Sequence, residues 1–426
     1  MSELAVARKT FLETKFEDRV TFDRTERKLY GHDVGELPAL IKPLIGSTVP
    51  DAVVQPENET DLCQLMQWAG NYGIPLTPRG MATSGYGGIL PVKNGVVVDF
   101  TRMKQVISID KNSLTVTVQP GIIWETLDNA LAKENLTLRL YPTSYPASTV
   151  GGWLAQGGAG IGSYESGWFY ENVISARVVL PDGNVRDFTG KELDLVSDAE
   201  GITGLISRIT LKVQILKEML ITSVAVEDTA ALQMFADEIL DEDLPLWSFL
   251  FINPQMAEFR NRTPLRQQHG QDAEDRVELP LTFIATLTYR VKDKAAIDER
   301  LDDIVKSVHG VRLDDQIARH EWDSRFRVMK VKRLGPSLVP AEIVVPLENI
   351  ADAIDEIKSK IAQPIVKEGL IVRDGKGGKP QVVILGFIPC DHRKFNYLFV
   401  FSLSVSITKI AEKHGGRAYA TGLYPE

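Results

Sequence analysis

The stretch that most limits what this chain can become is Ile74-Pro75-Leu76-Thr77-Pro78-Arg79-Gly80-Met81-Ala82-Thr83-Ser84-Gly85-Tyr86-Gly87-Gly88. An apolar, β-prone entry leads into a turn holding four glycines, two hydroxyls and one arginine. Glycine has no Cβ, so the backbone there can take positive φ and approach a ligand closely. Successive N–H groups can then point into one concavity. That is a ready anion site, and Arg79 adds a positive charge at its mouth. A phosphate or pyrophosphate is the natural occupant; the plain alternative is a tight turn.

The flanking sequence builds a small α/β layer around this turn. Residues 50–56 read as a short strand, and Thr60 or Asn58 can cap a helix over residues 61–71. Leu62, Leu65, Met66 and Ala69 recur at helical spacing and should face a core. The helix ends at Asn71-Tyr72-Gly73, and the strand entering the glycine turn follows. Further strands are expected over residues 95–103 and 114–121, with an amphipathic helix over residues 124–131.

Length and composition set the outer bounds. At 426 residues two or three domains are expected. No run approaches the length of a membrane span. Residues 1–17 alternate charged and apolar side chains, lack a signal-peptide core, and read as a helix that packs or docks. The net charge of -9 argues against a nucleic-acid partner, because neutralising phosphates needs a basic face. Cys63 and Cys390 are the only cysteines, too few for a disulfide framework or an iron–sulfur or zinc cluster. A cytoplasmic location fits that usage.

After residue 217 the texture changes. Helices are expected over residues 230–240, 295–309, 350–361 and 404–414, and strands over residues 282–289, 343–347, 382–387 and 397–402. This alternation suggests an α+β domain with helices on one face of a mostly antiparallel sheet. The domains expected are a helical segment (1–44), an anion-binding domain (45–217) and a cap or substrate domain (218–426). Residues 374–380 tempt a phosphate-loop reading but lack its spacing, and read as an exposed turn. Gly158-Ala159-Gly160-Ile161-Gly162 is likewise no dinucleotide fingerprint.

One ordered series of motifs goes further. The glycine loop is followed by Gly95-Val96-Val97-Val98-Asp99, Gln119-Pro120-Gly121, Ser148-Thr149-Val150-Gly151-Gly152-Trp153, Val178-Val179-Leu180-Pro181-Asp182-Gly183 and Glu200-Gly201-Ile202-Thr203-Gly204-Leu205-Ile206. Over residues 45–217 this resembles the FAD-binding domain of the vanillyl-alcohol oxidase and p-cresol methylhydroxylase family, in its glycolate and D-lactate dehydrogenase branch. The resemblance implies a two-part α+β FAD-binding domain followed by an α+β cap of antiparallel sheet and helices.

It also implies site residues. Arg79, Gly80, Met81, Ala82, Thr83 and Ser84 would cradle the FAD pyrophosphate. Residues 142–152, among them Pro142, Thr143, Ser148, Thr149, Gly151 and Gly152, would line the flavin ring. Gly201, Gly204 and Ile206 would complete the cleft. Covalently flavinylated members commonly carry a His in the first glycine loop. Neither loop here has His or Cys, so FAD is expected to bind non-covalently.

On the substrate side, a 2-hydroxy acid dehydrogenase needs a cation for the carboxylate and a base for the hydroxyl proton. Trp322-Asp323-Ser324-Arg325 resembles the family's Trp-x-x-Arg element, which makes Arg325 the carboxylate candidate, with Arg327 and Arg333 behind it. The alternative is a solvated basic edge. Residues 340–347 resemble the acidic strand segment that follows. The branch's His-x-Gly-Asp-Gly-Asn-x-His metal motif is reduced here to Pro389-Cys390-Asp391-His392 and its neighbours, so no metal site is expected. The Gly-Glu-His-Gly segment is replaced by Arg417-Ala418-Tyr419-Ala420-Thr421-Gly422. His414, His392 and His320 can stand in as the base, or be surface and structural residues. Tyr419 and Tyr424 either close over the flavin or cover the final helix. The sequence ends at Glu426, short of the tail expected in full-length relatives.

The reading that follows is an FAD-dependent dehydrogenase of a small 2-hydroxy acid or alcohol. It would pass electrons to an iron–sulfur or other electron-transfer subunit and reach the inner membrane face at most peripherally, through that partner. The alternative is a flavin-carrying electron-transfer subunit whose substrate site is degenerate or completed by a partner. A cofactor-free binding module is the third.

Overall fold

The computed structural model describes residues 6–35, 42–265, 267–268, 271–272, 276–335, 337–373, 378–420 and 422. It contains three main layers of sheet. The first has four strands in the order Val20–Thr21, Ala52–Val54, Val96–Asp99, Leu76–Arg79, the last three mutually parallel. Between two of them runs the helix Glu59–Tyr72. Asn58, not Thr60, caps it by accepting the Asp61 N–H at 3.0 Å, and Gly73 ends it at φ 61°. Leu62, Leu65, Met66, Trp68 and Ala69 are buried against Leu12 and Phe16 of the helix Val6–Phe16. The first helix therefore packs into this core.

The second sheet is antiparallel, in the order Val106–Asp110, Thr115–Val118, Leu205–Ile215, Val173–Val179, Val185–Thr189, with Leu136–Leu138 also pairing to Leu205–Ile215. The Pro181-Asp182-Gly183 turn closes its hairpin through the Leu180 N–H donating to the Asn184 carbonyl at 2.8 Å. Trp124, Leu127 and Leu131 of the helix Trp124–Ala132, and Val150, Trp153 and Leu154 of the helix Val150–Gln156, share its core.

The third sheet has nine antiparallel strands, with Met219–Val226, Phe283–Arg290, Leu246–Ile252, Val366–Val372 and Gln381–Cys390 adjacent in that order. Side chains alternate faces along a strand. Phe249, Phe251, Ala285 and Leu287 point to one side, where they pack on the helices Thr229–Asp241, Lys294–Ser307, Ile350–Lys360 and Tyr397–Lys413. Ile252, Ile284 and Leu370 point to the other side, toward Ala159, Ile161 and Trp168 of the first half of the chain. The helices Pro254–Arg262 and Asp315–Ser324 lie on this second side as well, so the helices are not confined to one face.

One element differs in type from the sequence expectation. Residues 397–402 are not a strand but the first turns of the helix Tyr397–Lys413. Five apolar and aromatic residues in a row carry no period of their own, and burial of Tyr397, Val400, Ile407, Ile410 and Ala411 on one side selects the helix. The turn expected at residues 374–380 falls mostly outside the described residues, as do Thr421, Tyr424 and Glu426. No helix among the described residues is long and apolar enough to cross a membrane.

Candidate functional site

The glycine loop leaves the end of the strand Leu76–Arg79 and forms one wall of an open cleft of about 1000 Å³. The other walls come from Ser144, Ser148, Thr149, Gly151, Gly152, Trp153 and Gln156, and from Glu200, Gly201, Gly204 and Ile206. Three segments far apart in sequence thus converge on one concavity. Among the described residues, the N–H groups of Met81, Ala82, Thr83 and Ser84 donate to no protein acceptor. Four adjacent, unpaired amides lining a cleft are the donor set a pyrophosphate accepts. These residues are half-buried or exposed, so their donors are open to a ligand entering the cleft.

Local chemistry fixes the walls. Thr149 starts the helix Val150–Gln156, its hydroxyl accepting the Gly152 N–H at 3.2 Å. A Cβ on Gly80 would lie 2.3 Å from that same hydroxyl oxygen, so only glycine lets the loop lie this close to the helix. Gly201 holds φ +79°, the left-handed region that favours glycine. Gln156 donates to the Ser84 hydroxyl at 3.2 Å, tying helix to loop from the far end.

Arg79 lines the cleft, but its guanidinium is turned toward the N-terminal segment. It donates to the carbonyls of Tyr30 and His32 at 3.3 and 3.0 Å and lies 5.2 Å from the Tyr30 ring centroid. Burial pulls its pKa below the usual arginine range. Asp33 continues the strap, its carboxylate accepting the N–H groups of Gly35 and Gly87, each at 2.8 Å. The charge expected at the anion's mouth therefore serves to hold residues 30–35 along the loop.

A second, much smaller cavity is lined by Thr143 and Ile161 on one side and by the nine-stranded sheet on the other. Its sheet wall follows from the period of two. Leu250 and Ile252, Ile284 and Thr286, and Glu368 and Leu370 are alternate residues of three adjacent strands, cross-paired in register. Thr143 lines this cavity while its neighbour Ser144 lines the large cleft, so this segment borders both spaces. Pro142 lines neither; its carbonyl accepts the Tyr145 N–H at 3.0 Å and starts the turn.

Three charged side chains enter the small cavity from helices, and one from the sheet. Arg325 caps the helix Asp315–Ser324 and stacks on Trp322 and Phe326, its Cζ 3.9 and 4.5 Å from the ring centroids. Burial pulls its pKa down to about 10, against nearby Asp323 and the tyrosines 141 and 145. Arg260 reaches in from the helix Pro254–Arg262 and donates to Glu321 at 2.5 Å and to Glu368 on the sheet. The two carboxylates respond oppositely. Despite its burial, Glu321 is held below the usual carboxylate range by Arg260 and His320. Glu368 is pushed up to about 7 by burial, which Arg260 offsets only in part and Glu321 reinforces.

The histidines considered as bases lie elsewhere. His414 ends the final helix and pairs with Glu356 at 2.7 Å, where Lys360 and Lys413 also bind that carboxylate. His392 pairs with the Ser337 hydroxyl at 2.6 Å. Neither lines the cleft or the small cavity, because both belong to the far rim of the sheet and its last helix. His320 comes nearest, 3.2 Å from Glu321 but outside the cavity wall. Arg333 is exposed, bound to the Pro264 carbonyl at 3.1 Å. Tyr419 does not close over the cleft: its hydroxyl bridges the Ala159 N–H and carbonyl, each at 3.0 Å.

Sequence reasoning did not single out Arg260, Glu321 or Glu368. The one available signal was Lys367-Glu368, two charges inside an otherwise apolar strand. Among the described residues no cluster of His, Cys, Asp and Glu is placed to hold a metal ion.

Residues 50–189 match the family model of the FAD binding domain. The chain is 25% identical over 398 residues to the mitochondrial D-lactate dehydrogenase [cytochrome] of Arabidopsis thaliana, covering 86% of this chain and 65% of that protein. It is 26% identical over 327 residues to the glycolate oxidase subunit GlcD of Bacillus subtilis (strain 168), covering 74% and 69%. The chain thus spans about two thirds of the length of these relatives. Among solved structures, alkyldihydroxyacetonephosphate synthase superposes with a TM-score of 0.77 at 18% identity, over 97% of this chain and 80% of that one. p-Cresol methylhydroxylase with substrate bound does so with a TM-score of 0.77 at 13% identity, over 98% and 90%.

Proposed function

We propose that the chain, whose residues 50–189 match the FAD binding domain, is a member of the vanillyl-alcohol oxidase and p-cresol methylhydroxylase family and an FAD-dependent dehydrogenase of a small 2-hydroxy acid. The observation that carries the proposal is that two spaces border the same segment, Thr143 and Ser144. One is the cleft whose unpaired amides at residues 81–84 suit a diphosphate; the other is the small cavity holding Arg325.

When bound, the flavin supplies the two-electron acceptor for the substrate's C–H bond. The protein supplies the rest. Met81, Ala82, Thr83 and Ser84 hold the diphosphate through main-chain donors, and Gly80, Thr149, Gly151 and Gly152 keep the wall close. Gly201, Gly204 and Ile206 close the opposite side. Arg325, its own counter-charges weak and its faces covered by aromatic rings, binds the substrate carboxylate. Arg260 is already paired with two carboxylates, which leaves Arg325 as the guanidinium for the substrate. None of the residues lining the cleft is His or Cys, which supports reversible binding of FAD. On this reading the cofactor belongs to residues 45–217 and most of the substrate wall to residues 218–426.

The electrons then pass to a separate carrier. An exposed edge-to-face pair, Phe395 and Phe399, offers apolar surface for such a protein next to the start of the last helix. The experiment is anaerobic titration of the purified, flavin-loaded protein with glycolate, D-lactate and larger 2-hydroxy acids. Bleaching of the flavin by one of them is expected. Flavin that none of them reduces, in protein that binds FAD, would overturn the substrate class and leave the electron-transfer subunit.

A further inference from the structure

We infer that Glu368 is the group that takes the proton from the substrate hydroxyl, with Arg260 and Glu321 as its positioning residues. The inference rests on the proposed dehydrogenase reading and adds the base that the histidines do not provide.

Placement is the first argument. Glu368 lies on the strand Val366–Val372, opposite Ile252 in register, on the face of the sheet turned toward Thr143 and Ile161. A strand in the middle of a nine-stranded sheet is a rigid mount. Catalytic groups held on such elements keep their geometry better than groups on loops. Arg325, the carboxylate ligand, enters the same cavity from the helix side. A small hydroxy acid whose carboxylate binds Arg325 at this cavity therefore has Glu368 among its few polar neighbours.

The bonding of Glu368 is the second. Arg260 holds its Oε1. Among the described residues the side chain makes no other hydrogen bond, and it keeps 12% exposure, on the cavity. One oxygen is anchored and the other is left to act. The groups facing it are Arg260 from the helix Pro254–Arg262, Glu321 and Arg325 from the helix Asp315–Ser324 and its cap, and Thr286 from the next strand but one. Lys367 points to the opposite face of the sheet.

The third argument is the unequal sharing of one guanidinium by two carboxylates. Glu321 stays ionised while Glu368 is pushed up to about 7. Pairs of carboxylates driven apart in this way mark the acid and base of an active site. The step balances as follows. The C2–H electron pair leaves as hydride to the flavin, and the C2–O bond becomes a carbonyl. The hydroxyl proton moves to the unanchored oxygen of Glu368. The products are a 2-oxo acid, a two-electron-reduced flavin and a protonated Glu368, which returns its proton to solvent.

The test uses the flavin-loaded protein and three forms: wild type, Glu368→Gln and Glu368→Asp. Infrared difference spectra across pH 5.5 to 8.5 read protonation directly, without turnover. A carboxylic-acid band that is lost as pH rises in wild type and is missing in Glu368→Gln is expected. Other titrating carboxyls remain in both proteins and cancel. Stopped-flow flavin reduction should fall at least 100-fold in Glu368→Gln, with oxalate binding and FAD content kept, and recover in part in Glu368→Asp. The rising limb of the wild-type pH profile should vanish in Glu368→Gln. A Glu368→Gln protein that reduces at the wild-type rate, or an infrared titration unchanged by it, overturns the inference. If no hydroxy acid reduces the wild type while the Glu368 band titrates and oxalate binding follows it, the substrate class fails and Glu368 stands as the proton acceptor of this cavity.

Discussion

The hydroxyl oxygen of Thr149 lies 2.3 Å from where a Cβ on Gly80 would be, so the glycine loop and the helix behind it touch through a missing side chain. That oxygen also caps the helix Val150–Gln156. A Gly80→Ala substitution must push Thr149 aside and give up the cap, a loss of about 1 kcal/mol. It also moves the wall that bears the unpaired amides. The expected outcome is a weaker hold on FAD by tenfold or more, read as flavin retained through gel filtration, with a fall of only a few degrees in Tm. Thr149→Val should lose the cap but keep the loop position, and so lower Tm with a smaller loss of flavin.

Among the described residues the Arg325 guanidinium makes one hydrogen bond, to the Trp322 carbonyl in its own helical turn, and is otherwise stacked on aromatic rings. Its charge is therefore available to a substrate anion. Hydrogen bonds to charged groups contribute about 1.5–3 kcal/mol, or roughly 10–100-fold. Arg325→Ala should raise KM for the hydroxy acid by that factor and leave FAD content unchanged. Arg325→Lys should recover little, because a lysine supplies a point charge without the planar fork. An unchanged KM in both variants would remove Arg325 from the substrate site.

Glu342 gives the fold a pH-dependence of definite sign. Its carboxyl is pushed up to about 7 by burial, against the hydrogen bond from Tyr86 that favours ionisation. Around it lie Val339, Ala341, Phe401 and Ala420. A carboxyl whose folded pKa exceeds its unfolded value holds its proton more tightly when folded. Its contribution is complete below about pH 4 and lost as pH rises through about 7. For a shift of this size the loss is on the order of 1–3 kcal/mol. Tm should fall between pH 5 and pH 8 in wild type, and Glu342→Gln should flatten that slope. Glu368 acts in the same direction, so the double variant should be flatter still.

The legible parts of this molecule are those set by local rules. The glycine loop, the Asn58 cap, the Gly73 helix end and the Pro181-Asp182-Gly183 turn are all written in neighbouring residues, and the first cleft assembles from motifs in sequence order. The second cavity is different. Arg260, Glu321 and Glu368 come from two helices and a strand spread over more than a hundred residues, and they meet only because the nine-stranded sheet pairs Leu246–Ile252 with Val366–Val372. No spacing announces such a meeting. The histidines misled for the converse reason. His414 and His392 sit beside motifs that look active, while tertiary packing gives them Glu356 and Ser337 as partners. The strand expected at residues 397–402 became helix because an unbroken apolar run has no period until something packs on it.

Asp33 offers a test of the strap along the glycine loop. Its two carboxylate oxygens accept the N–H groups of Gly35 and Gly87, and the Val34 N–H donates to the Ser84 carbonyl at 3.3 Å. Residues 30–35 thus hold the far end of the glycine loop while Arg79 holds the near end. Removing both acceptors in Asp33→Ala should free the segment. Asp33→Asn keeps one side-chain oxygen and can satisfy only one of the two amides. Cleavage of the chain near residues 30–35 by a nonspecific protease should therefore rise in the order wild type, Asn, Ala, and bound FAD should suppress it in each. Equal cleavage in all three proteins would mean that the segment is held by something other than Asp33, and that the loop keeps its shape without it.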